Sequence, residues 1–79
     1  MAKILYVSTH GTDDPSRAAI PFVAAAGATE AGHQPTVVCS FESTYVLNEG
    51  VADTVVGVGF PPLNEILSGV IANKTPIYV

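Results

Sequence analysis

Two short runs rich in β-branched residues, Lys3–Thr9 and Thr36–Ser40, flank an alanine-rich stretch of helical length, and this alternation constrains the fold more than any other feature. Strands separated by helices cannot be joined by hairpins. They must lie parallel, linked by right-handed crossovers. The first run, Lys3-Ile4-Leu5-Tyr6-Val7-Ser8-Thr9, is too continuously apolar for a strand wetted on one side, so it reads as a strand buried on both faces. His10-Gly11-Thr12-Asp13-Asp14-Pro15 ends it with turn residues.

Asp13 or Asp14 can accept backbone N–H bonds as a helix cap, and Pro15 suits the first helical position. From Ser16 to Ala31, Ala18, Phe22 and Ala26 form an apolar stripe with Ala19 and Val23 beside it. Pro21 removes a backbone donor and Gly27 lowers propensity, which predicts a kink near Arg17–Pro21, or else a short turn at Pro15–Ala18 with the main helix starting near Pro21. Gly32 can take the left-handed conformation that closes a helix.

After the second strand, Glu42 to Asn48 is long enough for about two helical turns. Gly50 to Pro62, with its glycines, prolines and unpatterned valines, reads as a surface loop. Pro61-Pro62 opens a helix from Leu63 to Ala72 whose apolar face uses Leu63, Ile66, Leu67, Val70 and Ile71. Asn73-Lys74-Thr75 breaks it, and Pro76–Val79 begins a third strand. The expected order is β-α-β-α-α-β in a single domain over residues 1–79, with helices on both faces of a parallel sheet and two edges in need of cover.

Composition narrows the function classes. With 48% hydrophobic and 13% charged residues, the chain is globular, but a domain of this size buries only about 60–65% of its unfolded surface, so support from a partner subunit is expected. Seven acids oppose three scattered bases, Lys3, Arg17 and Lys74, which disfavours nucleic acid and anionic membranes. No leader-like n- and h-regions and no membrane-length apolar run occur, so a cytoplasmic location is expected. One cysteine, Cys39, excludes an internal disulfide and a multi-cysteine metal site. Neither a Walker pattern nor Gly-x-Gly-x-x-Gly occurs, and no cofactor is implied.

Taken in order, Ile4–Ala18 with its Gly11-Thr12-Asp13-Asp14-Pro15 loop, Gly50-Val51-Ala52-Asp53, Phe60-Pro61-Pro62-Leu63 and Pro76-Ile77-Tyr78-Val79 resemble the DsrE/DsrF-like family of small sulfur-relay proteins, from about Ala2 to Val79. The resemblance implies a flavodoxin-like three-layer α/β fold, homo-oligomers, a sulfur-relay protein partner and, in active members, a persulfide-carrying cysteine just after the strand matching Pro76–Val79. No catalytic residue carries over to this chain. Cys39 matches the second strand instead, and the natural protein is expected to continue past Val79.

The loop after the first strand is the main candidate site. Backbone N–H groups at the helix start could hold an anion with His10, Gly11, Thr12, Ser16 and Arg17, although Asp13 and Asp14 repel one, and a capped, solvated loop is the simpler reading. His10 could serve as a general base or polarise a persulfide; hydrogen bonding within its own loop is the commoner use. His33 reads as an exposed cation near a helix end. Cys39 reads as buried and inert rather than nucleophilic. Gly57–Pro62, with Phe60, is either an oligomer contact or lid, or a loop folded onto its own core.

Overall fold

The computed structural model describes residues 2–48 and 50–79. Its elements are β1 (Lys3–Ser8), α1 (Pro15–Glu30), β2 (Gln34–Cys39), the 3₁₀ segments η1 (Phe41–Leu47) and η2 (Ala52–Thr54), α2 (Leu63–Ala72) and β3 (Ile77–Tyr78). The three strands form one parallel sheet in the order β1-β2-β3. This is a compact α/β fold.

Helix α1 runs unbroken through Pro21, so the two-piece alternative does not occur. Asp14 caps it by accepting from the Arg17 N–H at 3.2 Å, and Pro15 needs no partner at the first turn. At the other end, His33 N donates to Ala28 O and Gly32 N to Thr29 O, a Schellman pair closed by Gly32 at φ +85°. Helix α2 ends in the same way: Thr75 N donates to Val70 O and Lys74 N to Ile71 O, but the left-handed position belongs to Lys74 at φ +59°.

Strand β2 begins two residues earlier than expected and includes Pro35. A central strand rejects proline unless the lost donor has no partner to miss. Gln34 N donates to Ala2 O on the β1 side and Val37 N to Pro76 O on the β3 side. The alternation points Pro35 toward β3, whose pairing with β2 covers only Val37 and Val38.

The core unites Ala18, Ala19, Phe22 and Ala25 of α1 with Val37 and Cys39 of β2 and Leu63, Leu67 and Val70 of α2. Two expected core positions are corrected: Val23 and Ile71 are exposed, and Ala25 and Ala28 are buried instead. The buried stripe of α1 thus runs through Ala18, Phe22, Ala25 and Ala28, with Val23 at its rim. The expected surface loop Gly50–Pro62 is partly interior, since Val55 and Ala52 are buried, Phe60 packs on the core, and Val56 bridges to Pro62.

Helices on both faces were expected; α1 and α2 instead share one, since residues of both enter a single core cluster. Two crossovers of one hand that step across the sheet in one direction must place both helices on the same side. The opposite face carries Lys3, Leu5 and Val7 of β1, Gln34, Thr36 and Val38 of β2, and Tyr78 of β3, by strand alternation and register. Leu5, Val7 and Tyr78 are 62%, 56% and 60% exposed.

Candidate functional site

The loop that leaves the carboxyl end of β1 is organised by its two aspartates. Asp13 Oδ1 accepts from Gly11 N at 2.7 Å, and Asp13 Oδ2 lies 2.9 Å from His10 Nδ1. The Gly11 N–H, with the His10 ring second, holds the Asp13 carboxyl below its ordinary value of 3.8. Asp14 caps α1 and also lies 3.5 Å from Arg17 Nε.

Gly11 is required by contact. A Cβ there would come within 2.5 Å of Glu42 O and 3.4 Å of a Val46 methyl, so the loop rests directly on η1. Beneath it, Ser43 Oγ donates to Ser8 Oγ, both residues fully buried, and Ser40 N donates to Ser8 O at 2.9 Å. Serines separated by 35 positions give no periodic signal, so nothing in the sequence pattern marks this link between β1 and η1.

Among the residues expected to bind an anion, Gly11 N serves Asp13, Ser16 Oγ accepts from Val58 N at 3.0 Å, and Arg17 faces Asp14. Thr12 is exposed. The loop therefore supplies its own anions. Two carboxylates engage the Gly11 N–H, the Arg17 N–H and one edge of the Arg17 guanidinium, groups that an incoming phosphate or sulfate could otherwise use.

His10 is held at Nδ1 by a carboxylate, the arrangement that orients a histidine general base. The hydroxyls of Ser8 and Ser43 are buried against each other. Cys39 is 2% exposed on the core side of the central strand. Among the described residues no group of three His, Cys, Asp or Glu side chains could hold a metal ion, and no helix is long and apolar enough to cross a membrane. No family model matches this chain, and neither a curated protein nor a solved structure matches it.

Proposed function

We propose that this chain is a non-catalytic assembly module whose helix-free sheet face contacts a second copy of itself. One observation carries the reading: Val7, Val38 and Tyr78 stand level across all three strands, with Leu5 below them, and α1 and α2 lie on the other side. Exposed apolar patches of this kind mark contact surfaces. The chain is acidic, at net charge −4, yet that face holds no carboxylate among its sheet residues, so pairing two copies brings no acids together there. Its area sets the strength. Two strands about 20 Å long and a two-residue third of about 7 Å, spaced about 4.8 Å, give roughly 200 Å² per copy, well below the roughly 800 Å² of a permanent interface.

The expected result is a reversible dimer whose population rises with concentration in sedimentation velocity. Leu5→Gln with Val7→Thr should return it to monomer while the far-ultraviolet circular dichroism is unchanged. A wild-type chain that stays monomeric at the highest soluble concentration overturns the reading. That outcome would fit a face covered by other polypeptide, as in a flavodoxin-like three-layer fold.

The sequence resemblance supports a second reading, sulfur relay of the DsrE/DsrF-like kind. It needs an accessible thiol, and the burial of Cys39 argues that this residue is not the carrier. Native protein should therefore react with a water-soluble disulfide reagent only at the rate of unfolding. Immediate labelling of Cys39 would reopen it as a persulfide site.

A further inference from the structure

At the amino edge of the sheet, opposite the end where α/β domains usually bind ligands, lies a cavity of about 490 Å³. It is lined by the start of β1 and β2 and by the turns that close α1 and α2. Its charge is unlike that of the rest of the molecule. The chain has three lysines and arginines, and two of them, Lys3 and Lys74, line this cavity together with His33. No carboxylate is among the described residues of the lining. The remaining polar groups are neutral, including Thr36, Thr75 and Asn73.

The simplest use of cations here would be to complement the helix C-termini. The Schellman bonds already engage the carbonyls of Ala28, Thr29, Val70 and Ile71. His33 is fixed as well: its Nδ1 accepts from Ala2 N at 2.9 Å, so the neutral ring carries its proton on Nε2 and remains a donor.

The backbone at Lys74 adds an independent observation. The two helices end in equivalent turns, and α1 fills the left-handed position with Gly32, whereas α2 fills it with Lys74 at φ +59°. A side chain in that conformation is unfavourable, and glycine would relieve it. Of the two helix ends that border the cavity, only that of α2 puts a side chain in the left-handed position, and that side chain is a cation; the other non-glycine residue at positive φ among the described residues, Phe41, lies outside the cavity.

We propose that this cavity binds a small phosphate-bearing anion, with Lys3, Lys74 and the His33 Nε2–H as its donors. The cavity volume suits a ligand of the size of a sugar phosphate. Pyrophosphate serves as the probe, followed by amide and imidazole chemical shifts and by titration calorimetry. Shifts should centre on Lys3, His33 and Lys74.

Lys74→Gly separates binding from structure, because it should move the two in opposite directions. The melting temperature should rise by about 4 °C, while pyrophosphate affinity falls about tenfold. Lys3→Gln, on an exposed strand end, should weaken binding without raising stability. The proposal fails if millimolar pyrophosphate shifts none of the three residues, or if both variants bind as tightly as the wild type.

Discussion

Phe22→Ala should leave this protein at the edge of unfolding. Phe22 is the largest fully buried side chain and the only large one that α1 sends into the core, where its neighbours on the helix are alanines. Truncating a buried phenylalanine costs about 3–5 kcal/mol, because the transfer energy is lost and a cavity remains. Against this stands a total of roughly 4–12 kcal/mol for a chain of this length. The loss would lower the melting temperature by tens of degrees on the scale of about 4–8 °C per kcal/mol. Thermal unfolding followed by circular dichroism reads it directly. Phe22→Leu is the control, expected to cost less than about 1.5 kcal/mol because it keeps most of the volume. A loss below about 1 kcal/mol for the alanine variant would mean that the core has a different centre.

The second large effect comes from one chemical change made at two glycines. Gly11→Ala should destabilise by about 1–3 kcal/mol, the usual cost of overpacking. The new methyl would meet a backbone carbonyl, that of Glu42, which cannot rotate away as a side chain could. It would also push the Asp13-anchored loop off η1. Gly27→Ala should do the reverse, stabilising by about 1 kcal/mol. Gly27 is exposed within α1, and a Cβ there meets nothing within 4 Å. Urea unfolding of both variants tests the signs. If Gly11→Ala also stabilises, the loop does not rest where the structure puts it.

Local chemistry made much of this fold readable from the sequence. Asp14-Pro15 announces the start of α1 and Gly32 its end, since capping and left-handed geometry depend on neighbouring residues alone. The apolar character of β1 was equally plain, yet it led to the wrong inference about its surroundings. A run such as Ile4–Val7 says that both sides are apolar, whereas the covering of each side depends on strand order. Strand order is a long-range property. For the same reason Val23 and Ile71, both at reasonable helical spacing, turned out to lie beyond the edge of the buried stripe. In the β1–α1 loop the sequence showed the aspartates as obstacles to an anion. It could not show that Asp13 takes the Gly11 N–H for itself, because that depends on the curl of the loop. The cations around the amino-edge cavity were visible only as scattered single residues, and folding brings Lys3, His33 and Lys74 together from 71 positions of chain.

Pro35 has an effect on the sheet beyond its own missing donor. Facing it across the β2–β3 gap is the approach to β3 through Pro76, which also lacks an N–H, so neither side can extend the ladder toward the amino edge. The pair works like the stop at the end of a zipper: β2 and β3 close at Val37 and Val38 and are held apart below them. Both prolines line the amino-edge cavity, and its opening is thus maintained by backbone that has no means of hydrogen-bonding it shut.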